Sequence, residues 1–168
     1  MNESTKQFFA KLYLKQITNG DYVDWAISCL EEKFDSKGLR LLAGMSKAHL
    51  IEDDFKDLFR QSLTELNWDY LEKKESLFNH AKKIAKQLLS GEIEYDDAVA
   101  KIHEVYIELS YPTELEMWSY FYNGHSSDWY ERSHWIPFIQ TYNHDRWIQY
   151  VKLEAIDLAK ANFLEELK

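Results

Sequence analysis

Apolar residues recur at steps of three and four through most of the chain, and only five glycines and two prolines punctuate it. That pattern predicts helices rather than strands. A first helix is expected from Ser4, with Gln7 placed to complete a capping box, burying Phe8, Leu12 and Tyr13 and stopping at Asn19-Gly20. Asp21 then caps a second helix whose stripe is Tyr22, Val23, Ala26, Ile27 and Leu30, and Asp35-Ser36 caps a short third through Leu39 and Leu42 to Gly44. A fourth, about residues 51–66, repeats Ile51, Phe55, Leu58, Phe59, Leu63 and Leu66. A fifth, about 72–89, carries Phe78, Ala81, Ile84, Ala85 and Leu88 and ends at Ser90-Gly91.

Ala98, Val99, Ile102, Val105, Tyr106 and Leu109 line a sixth helix that Pro112 ends, and Thr113 with Glu116 forms a capping box opening a seventh. The last, about 145–167, buries Ile148, Val151, Ala155, Leu158 and Ala159, with Asp145 as its cap. Residues 123–144 follow no clean period. The expected fold is therefore all-α, a single domain over residues 1–168 built as a bundle of about seven to eight helices. Asp21-Tyr22-Val23-Asp24 resembles Glu94-Tyr95-Asp96-Asp97, and each tetrad is followed by a short element with Leu39 or Leu115, so stacked helical hairpins are the alternative arrangement.

A chain of 168 residues buries roughly 70% of the surface its unfolded form exposes. A single cysteine, Cys29, cannot bridge within the chain, and it lies on the apolar side of its helix with no base beside it, the setting of an inert thiol. The start Met-Asn-Glu-Ser-Thr-Lys lacks the apolar core of a signal peptide, and no apolar run approaches the ~20 residues that span a bilayer, so a cytoplasmic, non-membrane protein is expected. The net charge of −9 is uneven: residues 1–84 hold 14 acids and 13 bases, residues 85–168 hold 15 acids and 7 bases. Nucleic acid, whose phosphates need Lys and Arg, is a poor partner for the second half, and a basic protein is a better one.

The segment Asp35-Ser36-Lys37-Gly38-Leu39-Arg40-Leu41-Leu42-Ala43-Gly44, with the later Ser110-Tyr111-Pro112-Thr113-Glu114-Leu115, resembles a group of small, uncharacterised, all-helical bacterial proteins. In that group an Asp-Ser-x-x-Leu-Arg-x-Leu-Ala-Gly segment follows a helix and a Tyr-Pro-x-x-Leu segment comes later. The resemblance covers roughly residues 20–120 and departs after Trp118. It implies a bacterial origin and a helical fold, and brings no activity with it.

Between Glu92 and Glu116 eight carboxylates (Glu92, Glu94, Asp96, Asp97, Glu104, Glu108, Glu114 and Glu116) face one base, Lys101. One reading is a solvated helix face, in which Lys101 pairs with Asp97 and Glu104 along its own helix and lysines of the fifth helix meet the acids across a hairpin. The other is a docking surface in which Glu92, Glu94, Glu104, Glu108, Glu114 and Glu116 steer a basic protein. From Trp118 to Tyr150 a third of the residues are aromatic. Phe121, Phe138 and Trp147 fit a core, whereas Trp129, Tyr130 and Trp135 stand among polar residues and suit interface anchors. The expected function is thus a non-catalytic protein-binding module, an acidic immunity protein or antitoxin that inhibits a basic toxin.

Two alternatives stay open. His125, His134, His144 and Asp145 share one segment and suit a metal-binding protein or metal-dependent enzyme, though without the three- or four-residue His spacing of helical zinc sites. A self-associating structural or regulatory subunit, a homo-oligomer, is the other. No phosphate-loop, dinucleotide-binding, nucleophile-elbow or paired-cysteine pattern occurs, so no cofactor and no catalytic residue is assigned. His49, His80 and His103 stand isolated and receive no role.

Overall fold

The computed structural model describes residues 1–48, 51–124 and 144–161. The chain is all-α, with eight α-helices, one 3-10 turn and no strand among the described residues. It divides into two compact units, Met1–Ser76 and Leu77–Lys168. The first holds α1 (Glu3–Tyr13), α2 (Asn19–Glu31), α3 (Lys37–Ala43) and α4 (Glu52–Glu65). Helix α5 (Lys73–Ser90) begins at the end of that unit and runs on into the second, which adds α6 (Tyr95–Glu108), the 3-10 turn Thr113–Leu115, α7 (Glu116–Gly124) and α8 (His144–Lys160). No helix among the described residues is long and apolar enough to cross a membrane.

Several helix ends depart from expectation, because the side chain that best reaches the exposed N–H groups is a neighbour of the one predicted. Asn2, not Ser4, caps α1, its Oδ1 accepting the Thr5 N–H at 3.1 Å, and Gln7 donates to Glu3 at 3.0 Å instead of reaching back to the cap. Asn19 and Gly20 form the first turn of α2 and do not end α1. Thr18 caps α2, accepting the Asp21 N–H at 3.3 Å while the Asp21 carboxylate accepts the Thr18 N–H at 2.8 Å, so Asp21 is the distal half of a capping box. Asp21 also pairs with Lys11 of α1 at 2.6 Å. Burial pushes its pKa up, but the hydrogen bonds from Lys11 and Thr18 outweigh this and hold it below the ordinary value.

In the first unit α2 packs on α1, α3 and α4, and α3 packs on α4. The core is aromatic and centred on Phe59, whose ring lies 4.6 Å from Phe8, 4.7 Å from Trp25, 5.7 Å from Phe9, 5.8 Å from Tyr22 and 6.1 Å from Tyr70. Trp25 is buried because its indole N–H donates to buried Thr5 Oγ1 at 2.9 Å, which removes the cost of an orphaned donor. Ile27, expected on the buried stripe, is exposed. Cys29 is fully buried, and that burial pushes its thiol pKa up. Ser36 caps α3 as expected, accepting the Leu39 N–H at 3.2 Å, while Asp35 forms a two-oxygen pair with Arg40 at 2.7 and 2.8 Å.

Five helices end in one motif. The N–H of Gln16, Phe34, Trp68, Glu92 and Tyr111 donates five residues back to Lys11, Cys29, Leu63, Gln87 and Tyr106, at 2.9 to 3.0 Å. The residue before each, Lys15, Lys33, Asn67, Gly91 and Ser110, has positive φ. Only Gly91 suits that conformation freely, and a side chain there costs about 1–2 kcal/mol. Lys33→Gly should therefore stabilise the protein by about 0.5–1 kcal/mol, after subtracting the backbone entropy that glycine adds to the unfolded chain. A urea midpoint that falls in the variant would contradict this account of the α2 terminus.

In the second unit α6 packs on α7 and on the 3-10 turn, and α8 packs on both helices. Ala98, Val99, Ile102 and Val105 of α6 are buried, as are Leu115, Trp118, Phe121, Trp147, Val151, Ala155 and Leu158. Phe121 meets Trp118 at 5.9 Å and Trp147 at 6.5 Å, both edge-on, so Phe121 and Trp147 are core as expected. Lys82 of α5 donates to the Ala161 carbonyl just past α8, a cation at the helix end that favours it.

Three expectations for this unit are corrected. Helix α6 stops at Glu108, before Pro112. Thr113 opens a 3-10 turn that has no side-chain cap, while Glu116 accepts the Tyr120 hydroxyl at 3.0 Å instead of completing a capping box. Asp145 lies in the first turn of α8 instead of capping it, because His144 is already helical. Of the stretch expected to be irregular, Asn123 and Gly124 belong to α7, and 125–143 lie outside the described residues, as do 162–168. The two resembling tetrads are out of register, since Asp21 is the third residue of α2 and Glu94 precedes α6. Their helices nevertheless share the same terminal hydrogen bond, Phe34 N–H to Cys29 and Tyr111 N–H to Tyr106.

Candidate functional site

The eight carboxylates are spread along the length of α6 and into the start of α7. Glu94 precedes α6 and Glu108 ends it, so at 1.5 Å per residue they stand about 21 Å apart along its axis. Glu92 belongs with Glu94 at the far end, where it accepts from Ser90 Oγ at 2.7 Å and Gln87 Nε2 at 3.5 Å. Glu94 is exposed and makes no side-chain cap bond. Among the described residues Lys101 forms no ion pair with Asp97 or Glu104, so the intrahelical compensation expected from their spacing is not made.

Glu108, Glu114 and Glu116 gather at the other end, where α6 gives way to α7. Glu108 is the last residue of α6, the end at which the helix dipole disfavours an anion, and no base lies in that turn. Glu114 sits in the 3-10 turn and Glu116 begins α7, both exposed. Glu104 lies one turn back on α6 and is also exposed.

Beside these acids runs an aromatic strip. Its outermost member is Tyr111, 66% exposed, whose ring meets Tyr106 nearly at right angles with centroids 5.3 Å apart. Tyr106 lies 6.0 Å from His103, and His103 stacks almost parallel on Tyr122 of α7 at 4.1 Å. Tyr122 and Tyr120 are exposed, as is Ile107, which lies on α6 between the strip and the flank bearing Glu104 and Glu108. Burial pushes the His103 pKa down against the upward pull of Glu104, which keeps the stacked imidazole neutral near pH 7. The hydrogen bond to the Glu116 carboxylate raises the Tyr120 pKa and keeps that hydroxyl a donor.

Tyr106 and His103 show what sequence reading missed. Tyr106 has the spacing of a core residue and is only half-buried, because α6 turns it toward the flank of its buried stripe. His103 looks isolated in the chain, yet Tyr122, nineteen residues on, supplies its stacking partner. The signal available was their three-residue spacing on one helix.

The predicted anchors Trp129, Tyr130 and Trp135 lie outside the described residues, as do His125 and His134. His144 and Asp145 are exposed at the start of α8, with His144 stacked 5.9 Å from Trp147. Among the described residues no three His, Cys, Asp or Glu side chains are grouped to hold a metal ion. The first unit has an open depression lined by Leu41, Met45, Ser46, Asp54, Asp57 and Leu58, at whose rim Asp57 pairs with Arg60 at 3.1 Å. No family model, curated protein or solved structure matches the chain.

Proposed function

We propose that the protein works by binding a basic protein at the α6–α7 corner, as an immunity protein or antitoxin that neutralises a nuclease-like toxin. The observation that carries this reading is the strip of exposed Tyr111 and Tyr122 with half-buried Tyr106 and His103 between them, set in a stretch with no Lys or Arg from Ile102 to Glu131. Such a toxin presents cationic side chains to phosphates. Glu104, Glu108, Glu114 and Glu116 would take the phosphates' place, steering the encounter, while the rings supply contact area that excludes water. Inhibition is then by occlusion and requires no catalytic group. Trp129, Tyr130 and Trp135 belong to the proposal as further anchors, and Glu92 and Glu94 as outlying charges.

The test begins with capture of a partner from the native host on the immobilised protein at low and high salt, followed by association kinetics with the purified partner. Changing Glu104, Glu108, Glu114 and Glu116 together to Gln should slow association at low salt by about ten- to a hundredfold. At physiological salt, where those charges lie beyond a Debye length from the corner, changing Glu92 and Glu94 to Gln should slow association by less than about threefold. Equal sensitivity of both ends would move the docking surface off the corner, and an on-rate indifferent to salt would reject electrostatic capture.

A further inference from the structure

Tyr111 is the one member of the five helix-ending motifs whose final residue also has positive φ, at 67°, directly after Ser110 at 60°. Gln16, Phe34, Trp68 and Glu92 hold the same hydrogen-bonded position without it. The second reversal is therefore not needed to end the helix. The ring of Tyr111 stands 66% exposed and edge-on to Tyr106, the two planes meeting at 71° to form a notch. Strain kept by a ring that packs so little of the protein's own surface points to a use outside the fold.

The notch lies in acidic surroundings. Glu108 and Glu114 are each three residues from Tyr111, Glu116 is hydrogen-bonded to Tyr120, and the nearest base along the chain is Lys101. A flat cation suits two aromatic rings inclined to one another with carboxylates near them in the chain. A guanidinium is planar and weakly hydrated, stacks on tyrosine and forks onto a carboxylate, whereas an ammonium is a compact, strongly hydrated point charge.

Building on the docking function proposed above, we infer that the Tyr111–Tyr106 notch is a subsite for an arginine side chain of the partner, and that it selects arginine over lysine. The carboxylates set how strongly any basic protein is attracted, and the notch sets which cation is retained.

The experiment titrates the full chain with hexa-arginine and with hexalysine, peptides of equal charge, by calorimetry and by amide shifts of the corner. Hexa-arginine should bind at least about fivefold more tightly, the size of one well-seated cation–π contact. Tyr111→Gly removes the ring and accepts the positive φ, so it should be at least as stable as the parent, and the two peptides should bind it within twofold of each other. Tyr111→Phe, which keeps the aromatic face, should retain the preference. Equal binding of both peptides to the parent would overturn the arginine subsite while leaving acidic docking standing. Binding of neither would overturn both, and a preference that survives in Tyr111→Gly would place arginine selection elsewhere.

Discussion

Replacing Phe59 with alanine is expected to destabilise the first unit by about 3–5 kcal/mol. Phe59 is 2% exposed, and its ring touches aromatic side chains from α1 (Phe8, Phe9) and α2 (Tyr22, Trp25), as well as Tyr70 beyond α4. Removing it empties the one position that all of them share. Rings cannot fold inward to refill such a space as aliphatic chains can, so the transfer loss and the cavity loss add in full. Phe59→Leu should lose less, about 1–2 kcal/mol, because it keeps most of the volume without the edge-to-face contacts. Urea unfolding followed by near-ultraviolet circular dichroism, to which Trp25 contributes among six tryptophans, measures both. An alanine variant that loses under 1 kcal/mol would mean that the aromatic cluster rearranges freely.

Gly38→Ala should destabilise by about 2 kcal/mol, although alanine is the better helix former by about 1 kcal/mol at an exposed position. The sign follows from distance. A Cβ on Gly38 would stand 2.6 Å from Ser62 Oγ, 2.9 Å from Ser62 N and 3.1 Å from Leu58 O, where α3 crosses α4. Two of those three atoms are backbone of α4 and cannot swing aside. Relief requires the helices to part, which would also pull the Gly38 N–H off Glu65, now at 2.8 Å. Adding Ser62→Ala should recover only a fraction of the loss, because it removes the nearest atom and leaves the backbone pair. A Gly38→Ala protein as stable as the parent would show that α3 is loosely seated.

The helices were legible because their apolar positions keep a period of three and four: every predicted core residue of α5 is buried, as are Phe55, Phe59 and Leu63 of α4 and Ala98, Val99, Ile102 and Val105 of α6, whereas Ile51 is exposed ahead of α4. The ends were less legible. Choosing among Thr18, Asn19 and Asp21 as the cap of α2 depends on which side chain reaches which N–H, and all three are good capping residues in sequence. Trp25 could not be placed in the core without knowing that Thr5, twenty residues earlier, meets its indole. The acidic half of the candidate site was visible as composition, but its division between the two ends of α6 is a matter of helix rise. Of the aromatic half, Trp129, Tyr130 and Trp135 lie outside the described residues, while in sequence His103, Tyr106 and Tyr111 look like an isolated histidine, a core tyrosine and a turn. What joins them is the α6 terminus and the approach of α7, which pairwise spacing along a chain does not encode.

The absence of Lys and Arg from residues 102–131 has a practical consequence for anyone mapping a complex of this protein. Amine-directed cross-linkers and lysine footprinting have no site between Lys101 and Arg132, so they do not report directly on Tyr111 or the acids around it. Trypsin likewise leaves residues 102–132 as one long peptide. Carboxyl-directed coupling at Glu114 and Glu116, or iodination of Tyr111, reads that surface directly.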